Sequence, residues 1–359
     1  MVTLSETQIT TQLNAFQHPL WVSYQIKSVE TTDQKVLISI LLAYPLRVDR
    51  LTVLQSALVE HLQQLDSDCE WVLKLTSRVS RHRVQNKLKP QLGIRNIIAV
   101  GSGKGGVGKS TLSVNLAIAL SQTGAKVGLL DADIYGPSQT QMLGAHDKPT
   151  LQDKKFIPLE KHGIYMMSMG ALVDQNAAMI WRGPMVSGAL LQLLNDVHWP
   201  ELDYLIVDLP PGTGDIQLTM AQKLPISGAV VVTTPQDIAL LDARRAIGMF
   251  NKVSIPVLGV IENMSHHICR QCGHTETIFG QGGAEKITQE FSVPSLGQLP
   301  LLASIGADVE KGIPTVAKEN DSAVAMSFQN MAEKVVLNLA QRPKDYSIAM
   351  PTTTLQSQN

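Results

Sequence analysis

The chain has 359 residues, of which 44% are hydrophobic and 17% charged, and its formal net charge at pH 7 is −1. This length suits one large α/β domain with a smaller one, and the near-zero charge offers no overall field that attracts nucleic acid or an anionic membrane. No apolar run reaches the length of a bilayer span, the first residues lack the pattern of a signal peptide, and three cysteines do not make a disulfide framework. We therefore expect a cytoplasmic protein.

Residues 1–80 have the pattern of a small α+β domain. A helix is predicted from Ser5, its N-cap, to Phe16, and alternating apolar residues predict a strand from Gln34 to Tyr44. Asp49 is expected to cap a second helix that carries leucines at helical spacing, and Trp71 to Val79 alternates again. Cys69 is interpreted as an ordinary small side chain.

The segment Thr76 to Arg95 contains six Lys or Arg residues, no acidic residue, and the helix breakers Pro90 and Gly93. We interpret residues 81–95 as a basic linker, because a basic run this short is usually a solvated connection. The alternative interpretation of this basic segment is an arm that binds nucleic acid.

A glycine-rich loop follows, between an apolar strand (Ile97 to Val100) and a helix that begins near Lys109. Gly103 to Ser110 fits G-x-x-x-x-G-K-[ST], the phosphate-binding loop. Glycine lines such a loop because backbone N–H groups must approach the triphosphate oxygens. We expect Lys109 to contact the β- and γ-phosphates and the Ser110 hydroxyl to bind Mg²⁺. The loop residues predicted to hold nucleotide are Gly103, Lys104, Gly105, Gly106, Val107, Gly108, Lys109, Ser110 and Thr111.

From Asn96 to Gln341 strand and helix patterns alternate, which predicts a mostly parallel sheet covered by helices on both faces. We take residues 96–341 as the ATPase domain and residues 342–359 as a disordered tail. Ligands of such sheets lie beyond the carboxyl ends of the strands. Four further strands are predicted at Lys126–Leu130, Leu202–Val207, Gly228–Thr233 and Val257–Ile261.

Carboxylates stand at two of these strand ends. Asp208 ends a Tyr-Leu-Ile-Val-Asp strand, a Walker B pattern whose carboxylate holds Mg²⁺, usually through a water molecule, opposite Ser110. The following Pro-Pro-Gly-Thr-Gly-Asp has the composition of a switch loop. Asp131 and Asp133 are two residues apart, so one can face the nucleotide while the other orders the turn.

A Cys-x-x-Cys pair, Cys269 and Cys272, brings two thiolates within reach of one metal centre. Two thiolates do not complete a four-ligand site, but two chains that meet across a two-fold axis would supply four. Zinc with His266, His267 or His274 is a second interpretation, and a redox dithiol is a third.

The string Lys-Gly-Gly-Val-Gly-Lys-Ser, with Lys104 after the first glycine, resembles the deviant Walker A motif of dimerising ATPases. These include MinD, ParA, the nitrogenase iron protein and the Mrp/ApbC iron–sulfur carriers. In that superfamily the lysine at the Lys104 position reaches the partner's nucleotide, which implies a homodimer. The resemblance to Mrp/ApbC extends to the Asp131–Ser138 string, to Trp181–Met185 and to the cysteine pair. It implies that Asp133 orients the attacking water.

The resemblance also implies that the Asn263 amide reads the adenine edge, since an amide offers both a donor and an acceptor. The order of elements in residues 1–80 resembles the MIP18-like domain that precedes the ATPase in many Mrp proteins. That family often has a cysteine before a proline, whereas this chain has Ala-Tyr-Pro at Ala43 to Pro45. We therefore expect no independent metal site in this region.

As a member of the Mrp/ApbC family, the chain would be an ATP-dependent iron–sulfur cluster carrier with slow ATP hydrolysis. The implied cofactors are ATP, Mg²⁺ and a [4Fe–4S] cluster bridged by Cys269 and Cys272 of two subunits. Lys104, Lys109 and Asp133 would be catalytic, and the partners would be cluster scaffold proteins and apo iron–sulfur proteins, with no nucleic acid and no membrane. The alternative is a MinD/ParA-like positioning or partition ATPase. That class predicts a basic amphipathic C-terminal helix or a basic patch, and residues 342–359 offer neither.

Overall fold

A computed structural model describes residues 4–32, 34–85, 88–133, 136–171, 183–269, 271–318 and 321–347. Several residues of the motif strings quoted above lie outside these ranges. They are Ile134, Tyr135, Trp181, Arg182 and Arg270, together with residues 348–359 of the predicted tail. No helix among the described residues is both long enough and apolar enough to cross a membrane.

The N-terminal region forms a three-stranded sheet with two helices. In chain order its elements are α1 (Glu6–Ala15), β1 (Tyr24–Thr31), β2 (Lys35–Leu42), α2 (Val48–Leu62) and β3 (Glu70–Ser77). Strand β2 is central, antiparallel to β1 and parallel to β3. Leu54, Leu58 and Leu62 of α2 are buried, as their spacing predicts. A boundary for this region at residue 80 stays a prediction.

The two predicted caps have different outcomes. Ser5 caps α1 as expected, because its hydroxyl accepts from the Gln8 N–H and the Gln8 side chain accepts from the Ser5 N–H. The prediction that Asp49 caps α2 is wrong. The helix begins earlier, with Arg47 at the N-cap, and Asp49 lies in the first turn, where its charge suits the helix dipole.

The remaining elements form the larger part of the chain. In chain order they are β4 (Ile94–Ser102), α3 (Lys109–Ser121), β5 (Val127–Asp131), α4 (Gln139–Met142), β6 (Leu151–Gln152), β7 (Lys155–Phe156), β8 (Leu159–Lys161), β9 (Ile164–Ser168), α5 (Gly183–Asp196), β10 (Leu202–Asp208), α6 (Asp215–Lys223), β11 (Gly228–Thr233), α7 (Asp237–Lys252), β12 (Val257–Glu262), β13 (His267–Ile268), β14 (Thr275–Glu276), α8 (Gly283–Phe291), β15 (Ser295–Gln298), α9 (Ala303–Glu310), α10 (Thr315–Lys318) and α11 (Ala323–Ala340).

Eight of these strands make one sheet in the order β15–β12–β11–β4–β10–β5–β9–β8. All neighbouring pairs are parallel except β8 with β9. Alternate residues of β4 belong to two separate hydrophobic clusters, Ile98 and Val100 to one, Ile97 and Ala99 to the other. Because successive side chains point to opposite faces, both faces of the sheet are covered. The predicted mostly parallel, doubly covered sheet is confirmed.

Gln85, in the predicted linker, is hydrogen-bonded to the segment that ends α6 and follows it. The Gln85 side chain, which is buried, donates to the carbonyls of Ala221 and Leu224 and accepts from the Ile226 N–H. In the described part of the predicted tail, the Asp345 N–H donates to the Arg81 carbonyl at 2.9 Å; the bounds of the disordered tail stay a prediction.

Candidate functional site

The phosphate loop connects β4 to α3 and borders a cavity of about 200 Å³. Two of its glycines are required by their surroundings. A Cβ on Gly103 would lie 2.1 Å from the Asp242 carbonyl oxygen, and a Cβ on Gly108, where φ is +84°, would lie 2.2 Å from the Asn263 amide nitrogen. The first N–H groups of a helix have no intrahelical partner, so the start of α3 after Gly108 offers them to an anion.

The cavity collects most of the predicted site residues. Its lining consists of Ser102, Lys104, Gly105, Gly106, Gly108, Lys109, Ser110, Thr111, Asp133, Ser138, Met142 and Pro211. The lysines, the Ser110 hydroxyl and the Asp133 carboxylate therefore share one polar cleft with the phosphate loop. Asp208 and Asn263 are not among the lining residues.

Lys109 and Asp208 form a buried ion pair behind this cleft. The Lys109 Nζ donates to Asp208 Oδ1 at 2.6 Å, and the two side chains are 6% and 0% exposed. Ser113 Oγ donates to the same oxygen at 2.8 Å, and Gln139 Nε2 donates to Oδ2 at 2.9 Å. Both carboxylate oxygens of Asp208 are thus engaged within the chain, and its role toward Mg²⁺ stays a prediction.

Asp131 and Asp133, at and just after the end of β5, have different surroundings. Asp131 is fully buried, and its Oδ1 accepts from the Asp133 N–H while its Oδ2 accepts from the N–H groups of Ser138 and Gln139, each at 3.1 Å. Burial, reinforced by the charge of Asp208, raises the pKa of Asp131 to about 7. Asp131 therefore orders the turn, while Asp133 lines the cavity and accepts from the Gly136 N–H at 3.2 Å; its facing the nucleotide stays a prediction.

Gln139, the first residue of α4, was not predicted from the sequence. Its side chain is fully buried, and its Nε2 donates to the Ser110 carbonyl at 3.0 Å as well as to Asp208. The Gln139 Oε1 has no hydrogen-bond partner among the described residues. Gln139 thus ties the loop that carries Asp133 to the Walker B carboxylate, and its place directly after Gly-Pro-Ser was the one available signal.

Lys104 is half-buried and is held by its own chain. Its Nζ donates to Gln236 Oε1 at 3.1 Å, and Gln236 is the N-cap residue of α7. The lysine that follows the first glycine of the motif is therefore positioned at the cavity edge and is not a freely solvated loop tip.

Asn263 follows β12 and contacts the phosphate loop. Its Nδ2 donates to the Val107 carbonyl at 2.9 Å, and its Oδ1 accepts from the Met264 N–H at 3.0 Å. The contact with Val107 was not predicted. Adenine reading by this amide stays a prediction.

Cys269 and Cys272 lie on a short hairpin between β13 and β14, which pair antiparallel. The Cys269 N–H donates to the His274 carbonyl and the Gly273 N–H donates to the Cys269 carbonyl, each at 2.9 Å. Gly273 has a φ of +71°, which favours glycine at the turn. Cys269 is half-buried and Cys272 is exposed, so the two thiols lie at the surface.

The hairpin lowers the pKa of the Cys269 thiol, because the backbone N–H groups of Cys272 and Gln271 and the Cys272 side chain favour the thiolate. Two nearby imidazoles have other contacts, His266 with the Ser265 hydroxyl and His267 with a backbone carbonyl. Among the described residues no cluster of three or more His, Cys, Asp or Glu could hold a metal ion. The zinc interpretation therefore finds no complete set of ligands in the described part of one chain.

Comparisons with known proteins agree with this architecture. A family model described as ParA, NUBPL iron-transfer P-loop NTPase, matches residues 93–336. An iron–sulfur cluster carrier protein of Haemophilus influenzae is 47% identical over 93% of this chain and 92% of its own length. A solved Archaeoglobus fulgidus nucleotide-binding protein in complex with ADP is 34% identical, with a TM-score of 0.57, over 65% of this chain and 91% of its own.

The MinD cell-division ATPase of Pyrococcus furiosus is 22% identical and has a TM-score of 0.51, with 67% of this chain and 98% of that chain covered. This likeness shows a shared fold.

Proposed function

The chain belongs to the NUBPL iron-transfer P-loop NTPase family, and from that premise we propose that it is an ATP-dependent carrier of iron–sulfur clusters. One observation carries the proposal: a P-loop NTPase cavity and a surface pair of cysteines occur in the same chain, joined through the end of β12. ATP is the nucleotide, and a [4Fe–4S] cluster is the cargo that the protein delivers to apo iron–sulfur proteins after loading from a scaffold protein.

The nucleotide binds where the glycine loop meets α3. Positions 103 and 108 tolerate no side chain, which suits a loop whose backbone N–H groups approach phosphate oxygens. We assign the β- and γ-phosphates to Lys109, which must then exchange its contact with Asp208 for one with the phosphates. Because the buried carboxylate keeps donors from Ser113 and Gln139, its charge stays partly compensated during that exchange.

Mg²⁺ would be held by the Ser110 hydroxyl, with Asp208 behind it, and would supply charge neutralisation at the phosphates. Hard oxygen donors at the cavity edge fit that ion. Asp133 lies in the same cleft, and we assign to it the orientation of the attacking water. Hydrolysis is expected to be slow, since the cycle serves as a switch.

The cargo site needs a second copy of the chain. Each hairpin supplies two thiolates, and a [4Fe–4S] cluster takes four, so a homodimer with a two-fold axis completes the set. The lowered pKa of Cys269 supports this role, because thiolates bind the cluster. We assign to Lys104 the contact with the partner's nucleotide, for which it must leave Gln236. Nucleotide would then bias how the two chains pack and how tightly they hold the cluster.

The positioning-ATPase alternative is not proposed. Its support is a likeness of fold at 22% identity, and it gives no task to the cysteine hairpin.

Anaerobic reconstitution with iron and sulfide tests the cargo. The full chain should become brown and hold about four irons per dimer, whereas Cys269→Ser and Cys272→Ser should hold almost none. Cys69→Ser is the matched control, since Cys69 is a half-buried cysteine in the N-terminal region and should leave the iron content unchanged. Iron content that survives both hairpin substitutions would overturn the proposal.

A further inference from the structure

We propose that residues 263–269, here called the β12 link, transmit nucleotide occupancy from the phosphate loop to the cysteine hairpin, with Asn263 as the positioning residue at its loop end. The inference rests on the proposed function, because it explains how one site of the carrier changes the other. It is carried by a continuous set of contacts between the two sites, taken in order below.

The first contact joins the β12 link to the centre of the phosphate loop. Val107, whose carbonyl accepts from Asn263 Nδ2 at 2.9 Å, stands between Gly106 and Gly108, both with positive φ. The Asn263 amide is packed so close to Gly108 that a Cβ there would lie 2.2 Å from its nitrogen. A phosphate loop that rearranges around phosphate oxygens therefore changes the surroundings of the Asn263 amide, through its hydrogen bond to the Val107 carbonyl.

The middle of the β12 link is fastened to the chain that follows β15. The Ser265 N–H donates to the Leu299 carbonyl at 2.9 Å, and the Leu301 N–H donates to the His266 carbonyl at 2.7 Å. The imidazole Nδ1 of His267 lies 3.1 Å from the Leu301 carbonyl. Ser265, His266 and His267 of the β12 link are thus each hydrogen-bonded to Leu299 or Leu301, so this part of the link is held against one neighbouring segment.

The far end of the β12 link is Cys269 itself. Its N–H is bonded to the His274 carbonyl, so a displacement that enters at Asn263 reaches the thiol pair after six residues. The buried Glu262 carboxylate, at the end of β12, also accepts from the Ala284 N–H at 2.7 Å, in the first turn of α8, the helix that follows the hairpin in the chain.

The switch-like loop after Asp208 offers no comparable route. In the described part of the chain no hydrogen bond joins residues 209–217 to residues 263–276. The contact of Asn263 with Val107 is the direct hydrogen bond that ties the phosphate loop to the segment carrying the thiols. The geometry thus gives this asparagine a task besides any contact with adenine.

The test measures thiol reactivity in metal-free full-length protein. Alkylation rates of Cys269 and Cys272 are determined by peptide mass spectrometry with no nucleotide, with ADP and with a non-hydrolysable ATP analogue, each at a concentration that a binding titration shows to be saturating. Wild type should change its rate about 5-fold between nucleotide states, the lower range of allosteric coupling. Asn263→Ala should lose this difference while nucleotide still saturates the site.

Asn338→Ala is the matched control, because the Asn338 amide donates to the Leu258 carbonyl of the same strand at 2.8 Å but does not face the phosphate loop. Asn338→Ala should keep the wild-type difference between nucleotide states. If any weakening of β12 abolished the difference, Asn338→Ala would lose it as well. A nucleotide-dependent difference that persists in Asn263→Ala, or that is absent from wild type, would overturn the inference.

Hydrogen exchange on wild type gives a second measurement that needs no variant. Nucleotide should change the exchange rates of the β12 link together with those of the phosphate loop, and a change confined to the loop would contradict the inference. Comparing the affinities for ATP and GTP distinguishes the coupling role of Asn263 from adenine reading. If Asn263 reads adenine, Asn263→Ala should alter the preference for ATP over GTP. Iron content after reconstitution tests the proposed function separately. A chain that shows the nucleotide-dependent thiol reactivity but binds no cluster would refute the cluster cargo and leave the coupling intact.

Discussion

The nucleotide cleft and the cysteine hairpin are built on opposite principles, although both depend on the carboxyl end of the same sheet. At the cleft, buried charges are compensated within one chain: Lys109 pairs with Asp208, and Gln139 covers the other carboxylate oxygen. At the hairpin, two thiols lie at the surface, half of the four thiolates that the proposed cluster takes. A single chain can therefore compensate the buried charges of the first site by itself, whereas the proposed cluster site takes two further thiolates from a copy of the chain.

This difference follows from the energetic cost of burial. An unpaired buried charge costs several kcal/mol, so the cleft must be satisfied before nucleotide arrives. A thiol at the surface remains solvated, so it has no such cost before a second chain binds. Substitutions at the cleft should therefore affect both hydrolysis and stability, while substitutions at the hairpin should affect the cargo alone.

The largest expected effect is that of Lys109→Ala. Losing the phosphate contact should lower ATP hydrolysis at least about 100-fold, as for other charge-stabilising groups. The chain should also lose about 3–5 kcal/mol of unfolding free energy, because Asp208 is left as a buried unpaired charge. Phosphate release and thermal unfolding measure the two effects. Lys126→Ala, at an exposed lysine, is the control. Unchanged ATP hydrolysis in Lys109→Ala would contradict the assignment of this cleft as the site of hydrolysis.

A smaller effect is expected at Gln139. Gln139→Ala removes the donor to Asp208 Oδ2 and to the Ser110 carbonyl, so hydrolysis should fall about 10-fold and unfolding free energy by about 1–3 kcal/mol. Iron content after reconstitution should stay at the wild-type level. Gln141→Ala is a matched control in the same helix, since among the described residues its amide donates to the Glu310 carbonyl, outside the cleft, at 3.0 Å. Equal effects of the two variants would show that Gln139 has no special position.

The smallest expected effect is a difference between Cys269 and Cys69 in the pH at which their thiols become reactive. The pKa of Cys269 is lowered by N–H groups of the hairpin, whereas burial and the charge of Asp66 raise the pKa of Cys69. In metal-free protein the Cys269 thiolate should therefore form, and react with iodoacetamide, at lower pH than that of Cys69. Rate profiles of the two peptides measure this. The reverse order would show that the hairpin does not favour the thiolate.

The sequence was most informative where local pattern and chemistry coincide. The glycine loop between a strand and a helix and the parallel sheet follow from motifs and periodicity, which need no knowledge of distant contacts. Gln139 and the Asn263 contact with Val107 could not be predicted, because each depends on two segments that meet only in the folded chain.

Strand β1 was also missed, for a local reason. Its pairing with β2 shifts register between Ile26 and Ser28, so apolar residues fall at Ile26 and then at Val29. A bulge of this kind breaks the alternation by which a strand is recognised in a sequence. The misplaced cap at Asp49 has a related cause, since a carboxylate in the first helical turn and one at the N-cap look alike in sequence.

In the proposed carrier, two copies of the chain, each giving Cys269 and Cys272, hold one cluster. Native mass spectrometry of anaerobically reconstituted protein tests it most directly, because it reports subunit number and cluster mass in the same ion. We expect a dimer that carries one [4Fe–4S] cluster, and we expect no cluster on the Cys272→Ser protein. A monomer that carries the cluster by itself would contradict it.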